Sequence, residues 1–185
     1  SPEFKNAGDV IYLLGETHDE LGASEYYKML ARESKKISER HAIGNSVPKV
    51  DLQKNLQTYL ALEKAIQKEL IVSAISVTSG GLGIALAKAC VGGIVGCKVD
   101  IKNIAGDAKS VDARLFSESQ GRILVSVNSK NISKFEKIIK NISHTKLGKI
   151  TKDSKFIVTE GKNKVVDSNV KKLHDIYHNF SNKMS

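Results

Sequence analysis

Four short apolar runs constrain this chain more than any other feature: VIYLLG (10–15), IVSAISV (71–77), VGCKVDI (95–101) and RILVSV (122–127). They are rich in β-branched residues and too short for buried helices, and Gly15 closes the first, which is the pattern of buried strands. The stretches between them carry helical spacing instead. Behind Asp51, an N-cap residue type, Leu52, Leu56, Tyr59, Leu60, Leu62, Ala65 and Ile66 form one apolar stripe. Ile132, Phe135, Ile138 and Ile139 recur at helical spacing within 129–142. The Ala- and Gly-rich segment LGIALAKAC (82–90) predicts a helix pressed closely against a sheet, the most enclosed of the chain. Thr17 and Glu20 have capping-box spacing and predict a helix from near His18, carrying Leu21, Tyr26, Met29 and Leu30. Further expectations are strands around KLGKI (146–150) and KFIVTE (155–160), loops over 35–49 and 102–114, and a basic tail helix from near Ser168. Strands interleaved with helices in this order imply the α+β class, a layered α/β sandwich with a mixed sheet flanked by helices.

A chain of 185 residues suits one well-buried domain. The opening SPEF reads as a cloning scar (1–4), followed by a domain over 5–166 and a peripheral helix or tail over 167–185. The formal charge of +9 invites a nucleic-acid reading, yet Arg32, Arg40, Arg114 and Arg122 are the only arginines. Lysine is a poor reader of bases and phosphates compared with the arginine fork, and with no Trp there is little to stack on. A solvated basic surface is the blander explanation and the preferred one. Cys90 and Cys97, with six residues between them in an apolar stretch, match neither a zinc pattern nor a disulfide framework and read as small core residues in a reducing cytoplasm. The most apolar stretch is broken by Lys88 and Gly92-Gly93, so no membrane span is expected.

Two segments could hold a ligand. Thr78-Ser79-Gly80-Gly81-Leu82 links a strand to a helix N-terminus, where free N–H groups and the helix dipole attract anions; tight packing of the following helix is the competing explanation. Glu118-Ser119-Gln120 offers a carboxylate, a hydroxyl and an amide just before a buried strand, or simply a capped turn. Glu16, His18, Asp19 and Glu20 look like an acid–base or metal cluster, but at a helix start they read as capping charges. His41, His144, His174 and His178 share no ligand spacing, and no nucleophile triad or Walker-type loop is present.

In their order, YLLGETHDELGASEYY (12–27), PKVDL (48–52), SAISVTSGGLGIALAKA (73–89) and LFSESQGRILVSV (115–127) resemble the C-terminal-type domain of the aminoimidazole ribonucleotide synthetase superfamily, over roughly residues 9 to 160. Within it they are most similar to the second-half copy found in phosphoribosylformylglycinamidine synthases. The resemblance implies a sheet flanked by helices, partly similar to a ferredoxin-like fold. It also implies a part in an ATP- and Mg²⁺-dependent ligase of purine biosynthesis, in which ATP activates the amide oxygen of formylglycinamide ribonucleotide and ammonia displaces phosphate. The implied partners are upstream ATP-binding domains, a glutaminase and small accessory subunits. In that family a segment like Glu118-Ser119-Gln120 helps bind substrate in the first-half domain. The substrate- or phosphate-binding candidates are therefore Thr78, Ser79, Gly80, Gly81, Glu118, Ser119 and Gln120, with no catalytic or metal-ligating residue.

One departure weakens any chemistry here. Where the family commonly carries His-Asp-x-Ser-Asp-Gly-Gly-Leu, this chain reads Ile75-Ser76-Val77-Thr78-Ser79-Gly80-Gly81-Leu82, without the imidazole and both carboxylates. Ala23 also replaces a glycine. The expectation is a mainly structural domain that binds no cofactor by itself. Two other readings stand beside it: a related superfamily enzyme, such as a cyclo-ligase or a selenophosphate synthetase, and a basic module that binds nucleic acid or protein.

Overall fold

The computed structural model describes residues 1–34, 44 and 46–181. The first strand, β1 (Val10–Leu14), is buried along its whole length because it lies between two cores. Ile11 and Leu13 point into one core, while Val10, Tyr12 and Leu14 point into the other. This alternation explains why its sequence is apolar throughout. After it come α1 (Glu25–Ser34), α2 (Leu52–Gln67), β2 (Ile71–Ser76), α3 (Gly81–Gly93), β3 (Gly96–Asp100), α4 (Val111–Phe116) and β4 (Ile123–Val127). The chain then forms α5 (Ile132–Ile139), β5 (His144–Thr151), β6 (Lys155–Glu160), β7 (Asn163–Asn169) and α6 (Val170–Ser181). The seven strands form one mixed sheet in the order β2-β4-β1-β5-β3-β6-β7, with β3 and β6 the parallel pair.

The larger core joins the α3 side of the sheet to residues of β1, β3, β4, β5 and β6. The smaller one sets Ala65 of α2 and Phe135 and Ile139 of α5 against β1 and β4. As expected, α3 is the most enclosed helix: Leu82, Ala85, Leu86, Ala89 and Cys90 are buried, whereas α1 buries only Ala31. Cys90 and Cys97 are free, fully buried thiols, and the Cys90 thiol is pushed far up by its contact with Cys97 and by burial. Phe4, in the segment read as a scar, is buried in the larger core, and its N–H donates to the Ala89 carbonyl (3.0 Å).

Several expectations need correction. Residues 15–24 form no helix, because Thr17 is drawn into a bridge with Gly106 and α1 waits for Ser24, whose Oγ accepts from the Tyr27 N–H (3.2 Å). The 102–114 connection contains the start of α4, capped by Ser110 Oγ on the Ala113 N–H (3.0 Å). An unexpected strand, β7, pairs with β6, and the tail helix starts at Val170. Asp51 does cap α2, accepting from the Lys54 N–H at 3.0 Å. Most of that helix's apolar stripe faces solvent, however: Leu52 is 76% exposed, and Leu56, Tyr59, Leu60 and Ile66 are also exposed. Most of the loop expected over 35–49 lies outside the described residues. Among the described residues no helix is long and apolar enough to cross a membrane.

Candidate functional site

The two candidate segments meet. Glu118 Oε1 accepts from the Gly80 N–H (2.8 Å) and from the Glu25 N–H (3.0 Å). One carboxylate thus serves the first turns of both α3 and α1, where the dipoles favour a negative charge. Ser119 Oγ, fully inside, accepts from the His18 N–H at 3.0 Å. Its neighbour Ser117 donates its hydroxyl to the His18 carbonyl (2.7 Å) and accepts from the Glu20 N–H (3.2 Å). The polar knot before β4 therefore clamps the loop that leaves β1. Gln120 differs: it is exposed and donates to the Glu118 carbonyl at 3.0 Å. Thr78 and Ser79 are likewise exposed.

Both glycines of the turn are needed for geometry. Gly80 and Gly81 have φ of 81° and 68°, a left-handed conformation that strains side-chain-bearing residues. A Cβ on Gly81 would lie 2.6 Å from the Leu115 carbonyl oxygen and 2.7 Å from that of Ser117. The start of α3 sits directly against the end of α4, which is the tight packing that competed with the anion-site reading.

Beneath the knot lies Arg122, 1% exposed. Its Nε donates to the Ser119 carbonyl (3.0 Å), one terminal nitrogen to Thr17 Oγ1 (3.0 Å) and the other to the Ser117 carbonyl. Burial lowers its pKa to about 10 against the opposing pull of the Glu20 and Glu118 charges. Glu20 is itself buried: Oε1 accepts from the Lys49 N–H (3.0 Å), while Oε2 has no partner among the described residues. The fork of Arg122 ties the loop after β1 and the 117–119 turn to the start of β4, a role lysine could not fill.

Sequence reasoning missed the polar cleft beside this knot. Glu16, His18, Lys54, Asn55, Gln120 and Ser143 line a hollow of about 250 Å³. Glu16 accepts from Lys54 Nζ (2.8 Å) and Ser143 Oγ (2.6 Å), and these bonds, Lys54 foremost, hold its carboxyl below the ordinary value of 4.5. His18 Nδ1 lies 2.9 Å from Asp107 Oδ1, a contact that also lowers the Asp107 pKa. The sequence reads Glu16 and His18 as part of a helix start, and their partners Lys54, Ser143 and Asp107 are distant in the chain, so Gly15 alone hints at the turn. Among the described residues no group of three or more His, Cys, Asp or Glu converges to hold a metal ion.

The family model described as "AIR synthase related protein, C-terminal domain" matches residues 6–161. This chain belongs to that family. The phosphoribosylformylglycinamidine synthase subunit PurL of Symbiobacterium thermophilum is 36% identical over 163 residues, covering 84% of this chain and 19% of the relative. PurL of Methanococcus aeolicus is 27% identical over 99% of this chain and 23% of its own length. The chain thus spans about a fifth of these relatives. Among solved structures, T. maritima PurL complexed with FGAR has a TM-score of 0.73 at 18% identity, over 93% of this chain and 29% of that one. The HypE–HypF complex contains a chain with a TM-score of 0.62 at 17% identity, over 91% of this chain and 54% of that one. At such identities these structures show the shared AIR synthase C-terminal-domain fold and no more.

Proposed function

We propose that this AIR synthase C-terminal-type domain is the second-half copy within an ATP-dependent ligase that makes formylglycinamidine ribonucleotide from formylglycinamide ribonucleotide and ammonia. Its relatives are named for that enzyme, which favours this reading over a cyclo-ligase or a selenophosphate synthetase. In it the domain serves as a scaffold wall, and the reacting groups lie elsewhere. The observation that carries the scaffold role is the Glu118 carboxylate on the Gly80 and Glu25 amides.

The cofactors implied by the resemblance, ATP and Mg²⁺, do not fit the Thr78–Gly81 turn of this chain. A phosphate there would meet the Glu118 carboxylate already on the Gly80 N–H, and among the described residues no carboxylate cluster stands nearby to hold the cation. What remains available to a substrate is the exposed rim: Thr78, Ser79 and Gln120, with Gln120 on the edge of the Glu16–Lys54 cleft. Gly80, Gly81, Glu118 and Ser119 hold that rim in shape. The exposed stripe of α2 is the surface on which the ATP-binding domains of the synthase would dock, since an apolar patch of this kind marks an interface. The glutaminase and small accessory subunits belong to the same assembly. This role carries a cytoplasmic location with it.

A phosphate-release assay on the purified chain, supplied with Mg-ATP, formylglycinamide ribonucleotide and ammonia, tests the scaffold role. No release above buffer is expected. Turnover that disappears in E118Q or G80A would make the domain an autonomous enzyme and overturn the reading.

A further inference from the structure

The helices α2 and α5 cover β2, β4 and β1 on one face of the sheet, and their core takes in no residue of β5, β3, β6 or β7. Among the described residues this half of the sheet carries no covering helix on that face. Cys97 and Val99 of β3, Leu147 and Ile150 of β5, and Phe156 and Val158 of β6 point into the opposite core. By alternation Lys98, Lys149 and Lys155 point out of the open face, and all three are exposed. Lys146 joins them from the β1 side, its Nζ 5.9 Å from the centre of the Tyr12 ring.

The register makes this arrangement unfavourable on its own. Lys98 stands directly opposite Lys149 on one side and beside Ile157 on the other. Like charges directly opposite each other on paired strands destabilise a sheet. Neither lysine forms an ion pair among the described residues, and the carboxylates of Asp100, Asp167 and Glu136 have other partners. Asp100 accepts from the Lys102 and Gly161 N–H groups (2.8 and 3.0 Å), Asp167 pairs with Lys164 (2.6 Å), and Glu136 lies 3.8 Å from Lys146. Ile157 and Thr159 are half-buried in the middle of the patch.

We infer that the open face of β5, β3 and β6 is a docking surface for an acidic protein segment, whose carboxylates lie over Lys98, Lys149 and Lys155 and whose apolar groups meet Ile157. Charge complementarity selects the occupant: an anionic partner neutralises the opposed pair, and at short range the gain is largest where both ammoniums are already crowded. A protein fits better than a nucleic acid, because the face offers a β-branched centre with no arginine fork and no ring to stack a base. The inference is independent of the proposed ligase role.

Fluorescence anisotropy with labelled poly-L-glutamate and a random 20-base-pair DNA duplex tests it on the whole chain. K98E/K149E should bind poly-L-glutamate at least about tenfold more weakly than the parent chain, whereas K64E/K134E, with the same charge change on α2 and α5, should stay within about twofold. K98Q/K149Q, which removes both opposed charges, should melt no lower than the parent; should K98E/K149E fail to fold, K98Q/K149Q is expected to show an intermediate loss of binding. Equal losses in the two charge-matched variants would overturn the proposal in favour of net charge alone. Duplex DNA bound as tightly as poly-L-glutamate, through the same lysines, would overturn it in favour of a nucleic-acid face.

Discussion

Arg122 and Glu118 show how single side chains organise the loops of this domain. Arg122 is buried with three acceptors and no directly bonded carboxylate. Replacing it by Lys removes the fork and leaves Thr17 Oγ1 and two carbonyls short of donors, so R122K should lose about 3–5 kcal/mol in urea unfolding. Truncating Glu118 uncaps two helices at once. E118A should lose about 1–2 kcal/mol, while E118Q, which keeps an oxygen acceptor, should lose less. Glu16 sets an acid limit. Its carboxyl is held below its ordinary value, so the folded state binds fewer protons there than the unfolded chain. That stability is fully present above about pH 4.5 and fades as pH falls through the lower folded value. Thermal melts across the acid range should show a shallower loss in E16Q than in the parent chain; identical acid limbs would remove Glu16 from the explanation.

The elements depend on close approach as much as on pattern. G81A should destabilise more than G83A, because its Cβ would sit 2.6 Å from a carbonyl oxygen at a left-handed φ, whereas at Gly83 the nearest atom is a Phe116 ring carbon at 3.2 Å. A difference of at least about 1 kcal/mol is expected from chemical denaturation. Conversely, L56K/L60K on the exposed side of α2 should cost under about 1 kcal/mol, since neither side chain is in a core. Strands β1 and β4 were legible because burial on both faces writes an unbroken apolar run, whereas β2 and β3 were legible from their short β-branched runs, although β3 exposes Lys98 and Asp100. Strand β7 was not, because it is an edge strand with mostly polar residues and gains its order from β6. The capping box at Thr17 misled because its residues had stronger tertiary partners in Gly106 and Arg122. Equally, the α2 stripe carried true helical periodicity, but periodicity cannot say whether a face meets this domain's core or another surface. At the site, the 78–82 and 118–120 segments were legible as polar turns, whereas the bond between Glu118 and Gly80 was not, and the Glu16–Lys54–Ser143 cleft joins three separate segments and left no local trace.

At the scale of the molecule, two layers of helices hold a mixed sheet whose loop end is locked by its own polar groups. The donors and acceptors of the turn are largely used within the chain, and the proposed scaffold role rests on this rather than on a missing residue alone. The most direct measurement is a titration of the isotopically labelled chain with Mg-ATP at physiological salt, following the backbone amide resonances of Gly80, Gly81 and Glu25. If Glu118 fills the α3 N-terminus, these resonances should show no saturable shift in the parent chain. A saturable shift of the Gly80 and Glu25 amides at micromolar ATP would mean that the nucleotide displaces Glu118 and that this turn is a working phosphate site.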